Sequence, residues 1–144
     1  MDNIDLKIID ILQADGRITM KELGQRVGLT SPATIERVKK LEESGIISGY
    51  RAVIDVARAG LPIRAFLLIT LAGQSGDAVV DFARRHAGVV ACHRLAGSAA
   101  YIVEAVAAEM ADLERMLDDA LPLGGVETHL VLSTALSNRP VVLP

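Results

Sequence analysis

Apolar residues recur at helical spacing in three successive stretches near the start of the chain. In the first stretch they lie three or four positions apart or adjacent, at Ile4, Ile8, Ile11 and Leu12. The second opens with Thr19 and Glu22, whose hydroxyl and carboxylate form the capping box that begins many helices. Gly28 ends it, because glycine adopts the left-handed conformation at low cost. These patterns predict two short amphipathic helices.

The third stretch begins at Thr30-Ser31-Pro32, where a hydroxyl residue precedes a proline suited to the first helical turn. Its predicted buried stripe consists of Ile35, Val38 and Leu41. This helix is predicted over 31–44, and the link that joins it to the second helix runs only from about Gly28 to Ser31. So short a link forces the two helices to cross sharply. The pattern therefore predicts a helix-turn-helix, whose later helix lies in the DNA major groove.

The predicted DNA contacts are exposed positions of the third helix and one arginine of the second. They are Ser31, Ala33, Thr34, Arg37, Lys39, Lys40 and Arg26. We expect Arg37 to bond guanine edges or phosphates, Lys40 to bond phosphates, and Thr34 to contact a base edge or a thymine methyl. Glu36 is expected to pair with Lys40, four residues further on. The alternative is that this basic face is only the solvated side of a small helical core.

An extended segment follows the three predicted helices. Residues 46–55 are predicted to form a hairpin with Gly49 at its turn, the wing of a winged helix-turn-helix. Leu61-Pro62 marks a domain boundary. We therefore expect a DNA-binding domain over 1–50, a connecting strand and linker over 51–62, and a second domain over 63–144.

The second domain mixes strand and helix patterns. Alternating apolar residues predict its strands, helical spacing predicts its helices, and a loop is expected at 73–76. The predicted elements are a strand over 63–71, a helix over 77–86, strands over 89–96 and 99–106 meeting at Gly97-Ser98, a helix over 110–121 and a strand over 126–136. This β-α-β-β-α-β order is the ferredoxin-like arrangement, so the whole chain is predicted to be of the α+β class.

The first of these strands is apolar on both faces. Ala65, Leu67 and Ile69 lie on one face, and Phe66 and Leu68 on the other. The two helices would cover one face of the sheet and leave the other exposed to water in a lone chain. The simplest cover is the same sheet of a second copy, so the pattern predicts a symmetric dimer.

Composition and charge limit the class of protein further. Hydrophobic residues make up 51% of the 144 residues, and the formal net charge is −3. Residues 1–60 hold four Lys and five Arg against nine Asp and Glu, so the acidic excess lies in 61–144 and does not exclude DNA binding. The single cysteine, Cys92, excludes an intrachain disulfide and is typical of a reducing cytoplasm. No signal peptide or membrane-length apolar run is visible, so we expect a cytoplasmic, nucleoid-associated protein with no membrane partner.

Enzymatic and metal chemistry is not indicated. The residues that come nearest to a metal-ligand set are His86, Cys92, His93 and His129. The second and fourth strands of a ferredoxin-like sheet lie at opposite edges, which would separate His93 from His129. Cys92 and His93 also point to opposite faces of one strand. We therefore expect no enzyme activity, no metal site and no cofactor.

An ordered motif connects these features to one protein family. It runs Leu6-x-x-x-Asp10-x-Leu12-x-x-Asp15-Gly16-Arg17-Ile18, then Glu22-Leu23 and Val27-Gly28-Leu29, then Arg37-Val38-Lys39-Lys40-Leu41-Glu42-x-x-Gly45-Ile46-Ile47-x-Gly49-Tyr50. The motif resembles the N-terminal domain of the Lrp/AsnC (feast/famine) family, and the rest of the chain also aligns with that family. The resemblance implies a winged helix-turn-helix, a connecting strand and a ferredoxin-like, ligand-responsive domain. It also implies a cytoplasmic transcription regulator that binds double-stranded DNA and forms dimers, often assembled as octamers.

The resemblance leaves the effector open. Family members that sense amino acids usually carry a Gly-Asp-x-Asp-type turn between the second and third strands. The matching stretch here, Gly97-Ser98-Ala99-Ala100, keeps the glycine and lacks both acids, whereas Thr128 matches a threonine that the family uses near the effector. The candidate effector residues are therefore Gly97, Ser98, Ala100 and Thr128. Three functions stay open: a regulator with a different or less polar effector, which we favour, a DNA-organising protein without one, and a ligand-binding module without DNA function.

Overall fold

The computed structural model describes residues 1–73 and 75–144, and the chain divides into two compact units. The first unit contains Met1–Val53 together with Leu136–Pro144, and the second contains Ile54–Ala135. The second unit thus includes most of the predicted linker, whereas the last nine residues of the predicted second domain belong to the first unit. Gln74, in the loop predicted at 73–76, lies outside the described residues.

Three helices build the first unit: α1 (Asn3–Ala14), α2 (Met20–Val27) and α3 (Ser31–Glu43). Thr19 caps α2, because its hydroxyl accepts from the Glu22 N–H at 3.2 Å. The other half of the predicted capping box is absent, since the Glu22 carboxylate binds the Arg26 guanidinium at 2.6 Å instead. Gly28 ends α2 in the left-handed conformation, with φ +74°, as predicted.

The three helices enclose a small apolar core. Its buried members are Ile8, Ile9, Leu12, Ile18, Leu23, Val38 and Leu41. Full burial stabilises a side chain of this size by about 1.5–3 kcal/mol relative to exposure. The core therefore fixes α2 and α3 against α1.

The hairpin predicted over 46–55 does not form. The structure describes every residue over 44–62 and has no strand there, so the connecting strand expected within 51–62 does not form either. The Tyr50 hydroxyl donates to the Glu42 carboxylate at 3.0 Å, which holds this segment against the end of α3. The prediction was wrong because alternating apolar residues become a strand only where a neighbouring strand pairs with their backbone.

The second unit has the predicted ferredoxin-like order. Its elements are β1 (Ile63–Leu71), α4 (Gly76–Arg85), β2 (Val89–Arg94), β3 (Tyr101–Ala107), α5 (Met110–Ala120) and β4 (Gly124–Leu130). The strands form one antiparallel sheet in the order β2-β3-β1-β4, so β2 and β4 lie at opposite edges. The predicted α+β class and β-α-β-β-α-β order are confirmed.

β4 is shorter than predicted. It ends at Leu130 rather than at residue 136. Its partner β1 begins directly after Pro62, and proline has no N–H with which to continue the ladder. One further bond joins the Val131 N–H to the Arg64 carbonyl at 2.9 Å. The available partner backbone therefore sets the length of β4.

The connection between β2 and β3 is also different. Arg94 is paired with Tyr101, which leaves residues 95–100 as a six-residue loop. Gly97-Ser98 is consequently not the two-residue turn that the sequence predicted. One bond inside the loop, from the Leu95 N–H to the Ala100 carbonyl at 2.8 Å, extends the pairing slightly.

The first strand has the two apolar faces that the sequence predicted. The residues of β1 buried in the core beneath α4 and α5 are Ala65, Leu67 and Ile69. Phe66 and Leu68 are half-buried on the helix-free face. Beside them, the Arg64 guanidinium forms an ion pair with the Glu104 carboxylate of β3. The dimer stays a prediction, and this apolar face is its support.

Candidate nucleic-acid interface

α2 and α3 approach each other closely at Gly24. A Cβ atom there would lie 2.7 Å from Thr34 Oγ1 and 2.8 Å from the Leu29 carbonyl oxygen, so a larger residue would push the two helices apart. The Leu29 N–H also donates to the Gly24 carbonyl at 2.8 Å. Together with Gly28, these contacts fix the crossing of α2 and α3. The sequence predicted the crossing from the short link but gave no sign of the role of Gly24.

Thr34 is not available to DNA, and its predicted base contact is wrong. Its side chain is 0% exposed, and its hydroxyl donates to the Thr30 carbonyl at 2.9 Å. Ile35, which was predicted to be buried, is 50% exposed. Helical spacing allows a stripe through 34, 38 and 41 as well as one through 35, 38 and 41, and the contact with Gly24 selects Thr34. Ile35 is therefore a functional candidate that the sequence interpretation missed, because an apolar side chain can contact a thymine methyl.

Arg37 is bound to the start of α1. Its Nη1 lies 2.7 Å from carboxylate oxygens of both Asp2 and Asp5, and its side chain is only 32% exposed. These hydrogen bonds raise the pKa of Arg37. The pKa of Asp2 is lowered, first by the Asp5 backbone N–H and then by Arg37. Arg37 thus holds α3 on α1, and the predicted base contact would require it to leave both carboxylates.

Lys39 and Lys40 are the most exposed cations of α3, with side chains 68% and 70% exposed. Lys39 lies 3.5 Å from Glu43, and Lys40 lies 2.8 Å from Glu36, the partner predicted for it. The bond to Glu36 raises the pKa of Lys40. Ion pairs this exposed are weak because water and salt screen them, so a DNA phosphate can compete for either lysine.

The other predicted contacts lie near the junction of α2 and α3. Ser31 and Ala33 are half-buried in the first turn of α3. Arg26 is exposed in the last turn of α2, bound to Glu22. Beyond this junction, α3 turns a mixed apolar and charged surface to solvent. We call this surface the outer face of α3; its residues are Ile35, Glu36, Lys39 and Lys40.

The candidate effector residues are spread over the second unit. Gly97 and Ser98 are exposed in the loop after β2. Ala100 is half-buried, and its N–H donates to the Ile69 carbonyl at 2.9 Å. Thr128 is exposed on the edge strand β4, and β1 separates that strand from β3. Neighbouring strands are about 4.8 Å apart, so Thr128 and the loop are about 10 Å or more apart within one chain.

The histidines and Cys92 do not form a cluster. Among the residues that the structure describes, no three His, Cys, Asp or Glu side chains are placed to hold a metal ion. His93 and His129 lie on the two opposite edge strands, and His129 is 3.0 Å from Glu127. Burial raises the pKa of the Cys92 thiol, which disfavours the reactive thiolate. Within the described ranges, no helix combines the length and apolarity needed to cross a membrane.

Comparison with known families assigns both units. Residues 1–48 match a model of winged helix-turn-helix DNA-binding domains, and residues 64–141 match the Lrp/AsnC ligand binding domain. The chain belongs to the Lrp/AsnC family. This Lrp/AsnC protein is a DNA-binding transcriptional regulator, and its family is one of regulators rather than of enzymes.

Relatives match this Lrp/AsnC regulator over nearly its whole length. The HTH-type transcriptional regulator YezC of Bacillus subtilis (strain 168) is 38% identical over 135 residues, which cover 94% of this chain and 96% of that relative. The solved structure of LrpC from B. subtilis aligns with a TM-score of 0.90 at 30% identity, covering 95% of this chain and 98% of that one. A feast or famine regulatory protein from M. tuberculosis, complexed with L-methionine, aligns with a TM-score of 0.90 at 32% identity and covers 99% of both chains.

Proposed function

We propose that this regulator binds specific DNA sequences through the outer face of α3. One observation carries the proposal: buried contacts fix α3 on one side, while the opposite side presents two exposed lysines and an exposed isoleucine. Lys39 and Lys40 would bind phosphates, which position the helix without selecting a sequence. Ile35 would contact a thymine methyl, and Glu36 can accept from a cytosine amino group when DNA displaces its pairing with Lys40.

The proposed assembly is a dimer or a larger oligomer of dimers. The helix-free face of the sheet, with Phe66 and Leu68 half-buried and uncovered, supports a second copy as its cover. In a two-fold dimer, the two α3 helices would enter successive major grooves about 34–36 Å apart. The operator would then be a palindrome. The assembly itself is tested by light scattering at micromolar concentration, which should show a dimer or an octamer. A monomer under those conditions would contradict the proposal.

The proposed effector is an amino acid or a related small molecule. The L-methionine complex of the M. tuberculosis relative supports that class. The loop of this chain has Ser98 and Ala100 where two acids are expected, so no side-chain carboxylate is available there for an ammonium group. The second candidate, favoured by the same two residues, is a DNA-organising protein without an effector. In both cases we propose that the protein works in the cytoplasm on the nucleoid, which imaging of a fluorescent fusion would test.

Fluorescence anisotropy on the DNA upstream of the gene tests the interface. Binding is measured from about 50 mM salt upwards, because phosphate contacts are strongest at low salt. Replacing Lys39 and Lys40 together with alanine should make the negative slope of log affinity against log salt less steep, by about 0.9 for each phosphate that is no longer neutralised. Lys7→Ala, at an exposed lysine of α1, is the matched control and should leave the slope unchanged. An unchanged slope in the double variant would remove these lysines from the interface.

A panel of amino acids that includes L-methionine tests the effector. A ligand of the native state should change DNA affinity, assembly state or melting temperature. Intact DNA binding with no response across the panel would favour the DNA-organising candidate. If the protein responds to a ligand but binds no DNA fragment, the result would favour the third function, a ligand-binding module without DNA function.

A further inference from the structure

The last nine residues, Leu136–Pro144, belong to the DNA-binding unit although they follow the second unit in the chain. We call this segment the strap. The Val141 N–H donates to Gln13 Oε1 at 2.7 Å, and Gln13 Nε2 donates to the Val141 carbonyl at 3.0 Å. A side-chain amide that bonds both backbone groups of one residue reproduces the paired bonds between antiparallel strands. Because the two partners are 128 positions apart in the chain, the contact is tertiary.

An apolar groove on the DNA-binding unit receives the end of the strap. Ile9 and Leu12 of α1 form one side of the groove, and residues 46–50 form the other. Leu143 packs against the buried core of the three helices, whereas Val142 beside it is 87% exposed. The strap is therefore anchored at two points, one polar at Gln13 and one apolar at Leu143.

The strap leaves the proposed DNA-binding surface open. The residues that line the groove come from α1, from 46–50 and from the strap itself, and none comes from α3. The outer face of α3 is therefore separate from the groove. A docked strap can influence DNA binding by holding the unit, and it does not compete with DNA for the lysines of α3.

The chain passes between its two units twice. Residues 54–62 lead from the DNA-binding unit to β1, and residues 131–135 lead from β4 back to the strap. A unit tied at two points samples fewer orientations than a unit on one linker, which lowers the entropy lost when it docks on DNA. β4 also carries Thr128, two residues before its end, so the strap joins a candidate effector residue to α1 through a short stretch of chain.

We propose that the strap is an intramolecular ligand of α1, held by Gln13 and Leu143, that pre-orients the DNA-binding unit for DNA. Docking of the strap is a property of the chain alone. The effect on DNA affinity rests on the proposed function. The two parts therefore have separate measurements.

Amide hydrogen exchange of the full-length protein, followed by nuclear magnetic resonance, tests docking. The Val141 N–H should exchange many-fold more slowly than an unstructured amide, because it is bonded to Gln13. Gln13→Ala should remove this protection, and Leu143→Ser should reduce it. Gln25→Ala, at an exposed glutamine of α2, is the matched control and should leave it intact. Free exchange of Val141 in the unmodified protein would overturn docking.

DNA affinity of the same variants tests the positioning role. Gln13→Ala should weaken binding to the upstream fragment several-fold, while the amides of α1, α2 and α3 keep their protection. Gln25→Ala should bind as the unmodified protein does. Unchanged affinity of Gln13→Ala would overturn the positioning role even if Val141 is protected. Absence of DNA binding by the unmodified protein would instead overturn the proposed function, and Val141 exchange would still report on docking.

Discussion

Replacing Thr34 with valine separates a structural role of this residue from a DNA contact. Valine has the same branched shape, so the change exchanges a hydroxyl for a methyl at a site with no exposed surface. Removal of the hydrogen bond to the Thr30 carbonyl costs about 0.5–1.5 kcal/mol. That carbonyl still accepts the Thr34 N–H at 3.0 Å, so no buried acceptor is left without a partner.

Burial of the new methyl contributes about 0.8 kcal/mol in the opposite direction. The free energy of unfolding should therefore stay within about 1 kcal/mol of the unmodified value. DNA affinity should stay within about twofold, because no atom of Thr34 reaches solvent. A base contact by Thr34 would instead cost about 1–3 kcal/mol, which is about 5- to 150-fold in Kd.

The assay combines denaturant unfolding, followed by circular dichroism, with fluorescence anisotropy on the upstream DNA. Ile35→Ala is the matched comparison, since it changes the next residue of α3 and lies on the outer face. Ile35→Ala should leave the free energy of unfolding within about 0.5 kcal/mol of that of the unmodified protein, and it should weaken DNA binding. Tenfold weaker binding by Thr34→Val, with unfolding unchanged, would refute the assignment of Thr34 to the core.

Three further predictions concern ionisable groups near α3. Asp5→Asn should lower both the melting temperature and the DNA affinity, because Arg37 would lose one of the carboxylates that hold α3; higher DNA affinity would show that Asp5 competes with DNA for Arg37. The folded-state pKa of Asp2 is below its ordinary 3.8. The ionised Asp2 carboxylate therefore stabilises the folded state above that pH, and this stabilisation is lost as pH falls through the lowered pKa. The melting temperatures of the unmodified protein and Asp2→Asn should therefore converge in acid, and a constant difference would contradict this. Burial and the bond to Glu42 raise the pKa of Tyr50 to about 12. The neutral Tyr50 hydroxyl therefore stabilises the folded state below pH 10.0, and this stabilisation is lost as pH rises towards 12. An ultraviolet absorbance titration should show a step near pH 12 that disappears in Tyr50→Phe, and a step that persists in the variant would refute the assignment.

Local signals predicted most of the elements correctly. The apolar period of Ile4 to Leu12, the hydroxyl of Thr19 and the glycine at 28 act within one or two helical turns, so they determine α1 and α2 without reference to the rest of the chain. The alternation through Ile63–Leu71 defined β1 to the residue. Glu36 and Lys40 pair as predicted because both lie on one helix, one turn apart.

Predictions failed where a residue depends on a distant partner. The helical period allows either Thr34 or Ile35 to be buried, and only the approach of α2 at Gly24 decides between them. In the sequence, nothing distinguishes Arg37 from an exposed cation of a recognition helix. In the folded chain, the N-terminal turn of α1 lies beside it and binds its guanidinium. The segment 46–55 has strand-forming residues, but no strand of the described residues lies beside it to pair with its backbone.

By itself, the sequence determined the family, the α+β class and the order of the strands, and it singled out α3 as the helix that we propose to bind DNA. These depend on patterns within short windows and on a motif of many ordered positions. Only the tertiary structure decided which side of α3 is free and that Arg37 is bound to α1. It also showed that Val141 is hydrogen-bonded to Gln13, 128 positions earlier in the chain. The physical reason is that burial and hydrogen bonding between distant residues depend on how the elements pack together, which a local pattern does not specify.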